Sequence, residues 1–75
     1  MNAAQCKMAR AALDLGVRDL AVLAKVSPDT IARMERGEEL RGRTIDAIRA
    51  ALEAGGVIFV EENGEGPGVR LRKGK

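Results

Sequence analysis

The residues with the clearest potential for chemistry are four arginines within one short stretch in the middle of the chain. They are Arg33, Arg36, Arg41 and Arg43. A guanidinium group stays charged at neutral pH and can donate two parallel hydrogen bonds to a phosphate or to the edge of a guanine. The alternative is a solvated surface on which the arginines pair with neighbouring glutamates, namely Glu35, Glu38 and Glu39. The net charge of +2, from 13 basic and 11 acidic residues, is too small to decide between these interpretations.

The sequence contains few residues that could bind a metal ion or act as a catalytic nucleophile. The chain has no His and one Cys, Cys6, so the common zinc ligand sets and an internal disulfide are both excluded. Cys6 falls on the apolar stripe of a predicted helix, where a buried thiol is unreactive. The sequence has no glycine-rich phosphate-binding loop, and no pattern brings acidic residues together. We therefore expect no catalytic residue, no metal site, no cofactor and no enzymatic activity.

The length of the chain determines how it can be stabilised. A chain of 75 residues forms one small domain, which buries only about 60% of the surface that its unfolded form exposes. Domains of this size often depend on a metal, disulfides or a partner subunit, and here the composition leaves the partner subunit. No apolar run could span a bilayer and no signal peptide is recognisable. A single cysteine fits a reducing cytosol, so we expect a cytoplasmic protein without a membrane partner.

The first part of the chain predicts two helices. Asn2 is a strong N-cap residue, and Gln5 stands three positions later, as a capping box requires. This helix is expected to end within residues 14–16, and the second helix is expected over about residues 17–25. The inward side of the second helix is predicted to consist of Leu20, Ala21, Leu23 and Ala24.

A third helix follows a clear start signal. Ser27 is an N-cap residue, and Pro28 suits the first helical position because its missing N–H has no helical partner there. Gly37 provides a stop signal, so the helix is expected over about residues 28–36. Its inward residues are predicted to be Val26, Ile31 and Met34.

A fourth helix and a change of period complete the predicted elements. The helix is expected to begin at Arg43 or the next residue and to end at the glycine pair 55–56. Its apolar stripe is Ile45, Ile48 and Leu52. The β-branched and aromatic run at residues 57–60 (VIFV) favours a strand, and residues 61–68 are rich in turn formers. Residues 69–72 alternate apolar and basic with the period of a half-buried strand.

The predicted fold class is therefore mostly α with a small C-terminal β-hairpin. We divide the chain into a helical domain at residues 1–55 and a hairpin at residues 56–73, and we expect residues 73–75 to fray. The VIFV strand has no polar face, and an exposed two-stranded ribbon is marginal in water. A dimer could cover it; the alternative is a monomer whose hairpin lies flat on the helices, with Ile58 and Val60 partly exposed. The residues expected to form the dimer are Val57, Ile58, Phe59, Val60, Val69 and Leu71.

The residues from about Gln5 to Leu52 resemble the Xre/Cro-type helix-turn-helix family of small phage and bacterial transcriptional regulators. The matching positions are Arg10, Leu20-Ala21, Ala24, Val26-Ser27, Thr30-Ile31, Arg33, Glu35-Arg36-Gly37 and the stripe of the fourth helix. They cover about two-thirds of the chain, and together they are more specific than any single motif. The tail is also similar to that of small Cro-type repressors, in which a C-terminal β element builds the dimer. The expected architecture is therefore a four-helix Cro-like domain with dimerising strands.

The resemblance implies that the third helix is a recognition helix that reads bases in the major groove, which a helix fits well. The residues expected to read bases are Ser27, Pro28, Asp29, Thr30 and Arg33. We expect Arg33 to bind a guanine, and Thr30 to touch a thymine methyl or a phosphate. Asp29 either accepts from a cytosine amino group or is a plain first-turn carboxylate. The residues expected to hold phosphates are Arg18, Arg36, Arg41 and Arg43.

The resemblance also implies a structural ion pair between Arg10 and Glu35 that links the first and third helices. The alternative is that Arg10 reaches solvent and Glu35 balances a neighbouring arginine. Two sites depart from the family pattern. Gly16 and Val17 stand where many members have Ser or Thr followed by a phosphate-binding Gln. Lys25 stands in the inter-helix turn where Gly is common, and a left-handed conformation there costs about 1 kcal/mol.

These expectations combine into a sequence-specific regulator that binds double-stranded DNA. The simplest version is a repressor that binds an inverted repeat as a homodimer, with half-sites about 10 base pairs apart, on the bacterial nucleoid. RNA polymerase or another protein is a further partner to consider. The alternative function is an antitoxin or interaction adaptor whose hairpin binds a different protein. The tail cations Arg70, Arg72 and Lys73 either add phosphate contacts or form a solvated strand face.

Overall fold

The computed structural model describes residues 1–73 and contains four α-helices followed by a two-stranded antiparallel hairpin. The elements are α1 (Ala3–Ala12), α2 (Val17–Ala24), α3 (Pro28–Glu35), α4 (Gly42–Ala54), β1 (Val57–Val60) and β2 (Gly68–Leu71). The predicted fold class is confirmed. The last part of the segment expected to fray, Gly74 and Lys75, lies outside the described residues. Within those residues, no helix is long and apolar enough to cross a membrane.

The predicted helix starts are present as capping hydrogen bonds. The Gln5 backbone N–H donates to Asn2 Oδ1 at 2.8 Å, and the Asn2 backbone N–H donates to Gln5 Oε1 at 3.0 Å, which completes the capping box. The Ser27 hydroxyl oxygen accepts from the Thr30 backbone N–H at 3.1 Å, and the proline at position 28 is the first helical residue. The α1 and α3 helices therefore begin where the sequence predicted.

Two elements begin earlier than predicted because their first residue is glycine, and α1 ends at Ala12 instead of within residues 14–16. The α4 helix begins at Gly42, since the carbonyl of Arg41 accepts from the N–H groups of residues 44 and 45 at 3.0 and 3.1 Å. The β2 strand spans Gly68–Leu71 instead of residues 69–72, because Gly68 pairs with the last residue of β1. Glycine is a weak former of both helices and strands, so propensity alone starts each element too late.

The predicted inward position of Leu23 is wrong. Leu23 is 56% exposed, and its neighbour Val22 is 76% exposed. At about 100° per residue, the side of α2 that faces the core is centred between Leu20 and Ala21, with Ala24 beside them, and Leu23 falls outside this arc. A short helix packs along one narrow stripe, so its apolar content overstates its buried area.

The core lies between the four helices and one face of the hairpin. Its buried residues are Cys6, Ala9, Leu20, Ala21, Ala24, Ile31, Met34, Ile48, Leu52, Val57 and Phe59. The two strands pair antiparallel, with Val57 opposite Leu71 and Phe59 opposite Val69. Alternate residues of β1 therefore face the helices, whereas Ile58, which is 43% exposed, faces outward.

One buried amide attaches the hairpin to the first helix. Gln5 is 4% exposed, and its Nε2 donates to the carbonyl oxygens of Val60 at 3.0 Å and Gly68 at 3.1 Å. These two carbonyls belong to paired residues at the loop end of the hairpin. The capping box accounts for Gln5 Oε1 but not for the hydrogen bonds of Nε2. Sequence reasoning therefore missed the second role of Gln5. The signal that could have found it is that the residue falls on the inward stripe, beside Cys6 and Ala9.

Candidate nucleic-acid interface

The α2 and α3 helices are joined by a three-residue turn whose geometry is fixed by backbone hydrogen bonds. Lys25 adopts a left-handed conformation with φ of 61°. The Val26 N–H donates to the Ala21 carbonyl at 3.0 Å and the Lys25 N–H donates to the Val22 carbonyl at 3.2 Å, which is the pattern of a Schellman cap. A lysine thus occupies the strained turn position that was expected to depart from the family pattern. The turn packs α3 against α2 and leaves one side of α3 uncovered.

The α3 helix buries one side and presents the predicted base-reading residues on the other. Ile31 and Met34 are in the core. Three predicted base-reading residues at the start of the helix are exposed, and two are half-buried. The exposed ones are Ser27, Pro28 and Asp29, and the half-buried ones are Thr30 and Arg33. The hydroxyl oxygens of positions 27 and 30 lie 2.9 Å apart, so each can still accept or donate a bond outward.

A cleft of about 360 Å³ lies between the exposed side of α3 and the start of α4. Its lining residues are Val26, Ser27, Thr30, Arg33, Glu39, Leu40, Arg41 and Thr44. The cleft brings three of the predicted base-reading residues next to one predicted phosphate-binding residue, Arg41. The polar lining is made of hydroxyl and guanidinium groups, with one carboxylate, Glu39. Such a set can donate hydrogen bonds to an anionic or acceptor-rich ligand.

Two of the clustered arginines are held by a single carboxylate. Arg33 Nε donates to Glu38 Oε1 at 3.1 Å, and Arg36 Nε donates to Glu38 Oε2 at 2.9 Å. Arg36 Nη2 also forms an ion-pair contact with Glu38 Oε2 at 2.8 Å. Hydrogen bonds from Arg36, and then from Arg33, hold the pKa of the Glu38 carboxyl below its usual value. At Glu38, two of the arginines therefore pair with a neighbouring glutamate on a solvated surface, as in the alternative interpretation of the sequence. Glu35 makes a different contact, and Glu39 forms no ion pair within residues 1–73.

The other predicted phosphate-binding residues are exposed and form no ion pair within the described part of the chain. Arg41 is the N-cap residue of α4, and Arg43 is the second residue of that helix. No side chain caps α4, so its first N–H groups have no side-chain acceptor. These N–H groups lie beside the two cations. Arg18 lies in the first turn of α2. There Asp19 Oδ2 already accepts from the Gly16 N–H at 2.8 Å, a local carboxylate that sequence reasoning did not weigh against phosphate binding at this helix end.

The predicted ion pair between α1 and α3 is present and bidentate. Arg10 Nε donates to Glu35 Oε2 at 2.8 Å, and Arg10 Nη2 donates to Glu35 Oε1 at 2.9 Å. Arg10 Nη1 also donates to the carbonyl of Leu15 at 3.1 Å. The hydrogen bond from Arg10 lowers the pKa of Glu35, and the same bond raises the pKa of Arg10. The pair therefore fixes α3 against α1 and the turn that follows it.

Cys6 lies beside this ion pair and is chemically protected. Its Sγ–H donates to Glu35 Oε2 at 3.4 Å, and the side chain is fully buried. Burial, together with the Glu35 carboxylate, raises the pKa of the thiol to about 12. The protonated thiol is a poor nucleophile. Within residues 1–73, no group of three His, Cys, Asp or Glu side chains could hold a metal ion.

The six residues predicted to form a dimer divide into two sets. Val57 and Phe59 belong to the protomer core, and Val69 packs against it. The guanidinium carbon of Arg49 lies 5.0 Å from the centre of the Phe59 ring, which covers that ring from the α4 side. The other three remain at least partly accessible: Ile58 is 43% exposed, Leu71 is 52% exposed, and Val60 is half-buried.

No family model matches the chain, and no curated protein matches it. The resemblance to Xre/Cro-type regulators therefore stays a prediction from the sequence.

Proposed function

We propose that the protein is an Xre/Cro-type regulator that binds double-stranded DNA in a sequence-specific manner. The observation that carries the proposal is the cleft that brings Ser27, Thr30 and Arg33 of α3 together with Arg41 at the start of α4. Base-reading groups and a phosphate-binding group must lie side by side on one surface for a helix to enter the major groove. The capped start, the Schellman turn and the buried side of α3 hold this surface rigid, which favours recognition of a defined site.

In the proposed complex, α3 enters the major groove with its N-terminal half towards the bases. Arg33 contacts a guanine through O6 and N7, an interaction worth about 1–3 kcal/mol of discrimination. Thr30 contacts a thymine methyl or a phosphate, while Ser27, Pro28 and Asp29 lie closest to the base edges. Positioning contacts to phosphates come from Arg18, Arg36, Arg41 and Arg43 and from the uncapped start of α4.

The proposed functional unit is a homodimer on an inverted repeat. The outward side of the hairpin carries Ile58 and part of Val60, and a second copy would remove these apolar groups from water. Two recognition helices then enter successive major grooves, which requires half-sites about 10 base pairs apart. Occupation of a promoter by this dimer gives repression on the nucleoid in the cytoplasm.

The test is selection of genomic fragments by the purified protein, followed by sequencing of the bound DNA. We expect a two-fold symmetric motif with half-sites one helical turn apart. Arg33→Ala should remove one base preference from the motif, whereas Lys7→Ala, at an exposed site on α1, should leave the motif intact. Enrichment without any motif would contradict specific recognition and indicate binding to phosphates alone.

A second function is favoured by one observation, the exposed apolar residue Ile58, which lies with part of Val60 on the outward side of the hairpin. An antitoxin or adaptor would use this side to bind a different protein, with DNA binding secondary. Ile58→Asp separates the two functions, because this side chain faces away from the protomer core. If the variant is folded but monomeric and binds DNA weakly, the homodimer is supported. A wild-type protein that is monomeric and still binds DNA at full affinity would favour the partner-binding function.

A further inference from the structure

The backbone places Glu38 next to the exposed side of α3. Gly37 has φ of 85°, a conformation that glycine adopts without strain. The Gly37 N–H donates to the Met34 carbonyl and the Glu38 N–H donates to the Arg33 carbonyl, both at 3.1 Å. This Schellman cap turns the chain back on α3, so the Glu38 side chain starts from a fixed point beside the last turn of the helix.

The hydrogen bonds of Glu38 use Arg33 in a particular way. Arg33 contacts the carboxylate through Nε at 3.1 Å, and neither of its terminal nitrogens makes a hydrogen bond within the described residues. Arg36, in contrast, is held through both Nε and Nη2. The two terminal nitrogens of a guanidinium match the O6 and N7 acceptors of a guanine. Arg33 is therefore held through Nε, and its two terminal nitrogens remain available for another acceptor.

We infer that Glu38 is a specificity-determining residue, which orients Arg33 towards a base edge and at the same time weakens the attraction of this surface for phosphate. The inference rests on the proposed DNA-binding function. A fixed guanidinium loses less conformational freedom when it binds a base. A carboxylate near the duplex repels phosphates on every sequence, but only the correct site supplies a guanine that compensates for this repulsion.

The contribution of Glu38 is separate from folding. The side chains of Arg33 and Glu38 are 43% and 44% exposed, and exposed ion pairs contribute little to stability because water and salt screen them. Replacement by glutamine keeps the size of the side chain and removes its charge. Glu65 provides a matched control, since it is an acidic residue in the hairpin loop, is also exposed, lies outside the cleft lining, and forms no ion pair within residues 1–73.

The test compares the wild-type chain with Glu38→Gln and Glu65→Gln on a random-sequence duplex library. The dissociation constants for the selected site and for a scrambled duplex then give a specificity ratio for each protein. We expect Glu38→Gln to bind the scrambled duplex more tightly and to lower the ratio roughly fivefold, the scale set by two exposed ion pairs. Glu65→Gln should change the ratio by less than about twofold, because the charge of Glu65 is screened and holds no arginine.

A double-mutant cycle separates orientation of Arg33 from a general charge effect. In an Arg33→Ala background, Glu38→Gln should lower the ratio much less, because the Arg33 guanidinium is no longer there to be oriented. A ratio that falls equally in both backgrounds, or equally for Glu38→Gln and Glu65→Gln, would overturn the inference and leave the proposed function standing. If the wild-type protein selects no motif at all, the proposed function fails and this inference fails with it.

Discussion

Two arginine–glutamate contacts at the C-terminal end of α3 have similar bond lengths but different consequences. Glu35 is 9% exposed and receives two hydrogen bonds from Arg10, which itself is 24% exposed. Glu38 lies in solvent and divides its two oxygens between two half-exposed arginines. Burial and the number of shared partners, more than distance, decide what such a pair does. The first contact holds the fold together, and the second leaves its arginines free to exchange a carboxylate for another acceptor.

The largest expected effect comes from removal of the buried partner. Glu35→Ala leaves Arg10 without its acceptor in a partly buried place, which costs about 3 kcal/mol, and a domain of this size shifts its Tm by about 4–8 °C per kcal/mol. We expect a fall in Tm on the order of 15 °C, measured by circular dichroism. Glu38→Ala is the control and should melt close to wild type. If Glu35→Ala melted like wild type yet bound DNA poorly, the pair would not be structural.

A smaller effect is expected when the exposed cluster loses its central arginine. Arg33→Ala should weaken binding to the selected DNA site by about 10-fold to 100-fold, as expected for loss of a bidentate contact with guanine. Affinity for a scrambled duplex should change far less. Fluorescence anisotropy with both duplexes measures this difference. Equal losses on both duplexes would mean that Arg33 contacts only phosphate.

The contributions of Glu35 and Glu38 to stability should also differ in their dependence on pH. The pKa of Glu35 is lowered from 4.5 in the folded chain, so the stabilisation from its ion pair is complete above pH 4.5 and is lost as the pH falls through the folded pKa. The free energy of unfolding of the wild type should therefore decrease below about pH 4.5 in urea titrations. Glu35→Gln should show a flatter pH dependence than Glu38→Gln. Identical profiles for the two variants would contradict the assignment of this acid sensitivity to Glu35.

The smallest effect is expected from the exposed pairs themselves. Glu38→Gln should change the free energy of unfolding by less than about 1 kcal/mol, and added salt should reduce the difference further. Urea denaturation at low and high salt measures both quantities. A loss comparable to that of Glu35→Ala would show that Glu38 supports the fold and would remove the contrast between the two contacts.

Much of the fold could be predicted because its signals are local. The N-caps at Asn2 and Ser27 and the strand VIFV each contain their own evidence within a few residues. The inward assignment of Leu23 failed because composition does not say which 100° arc of a short helix meets the core. The hydrogen bonds from Gln5 to the hairpin could not be predicted because their acceptors lie 55 and 63 residues away along the chain.

The candidate site was only partly accessible to the same reasoning. The sequence left open whether the arginines pair with Glu35, Glu38 or Glu39. The choice depends on a backbone turn at Gly37 that brings one carboxylate back over α3, and on the packing of α1, which directs Arg10 to Glu35. Adjacent positions in a loop have the same residue type and charge, so only tertiary geometry separates them.

The side chains of α1 link two distant parts of the molecule. Gln5 donates hydrogen bonds to the loop end of the hairpin, and Arg10 donates to the last turn of α3. Local opening of this ten-residue helix should therefore release the hairpin and α3 in one step. We expect the amides of α1, α3 and the hairpin to exchange their hydrogens at a common free energy, as one cooperative unit. A protein that binds the hairpin should therefore also slow the exchange of amide hydrogens in α3.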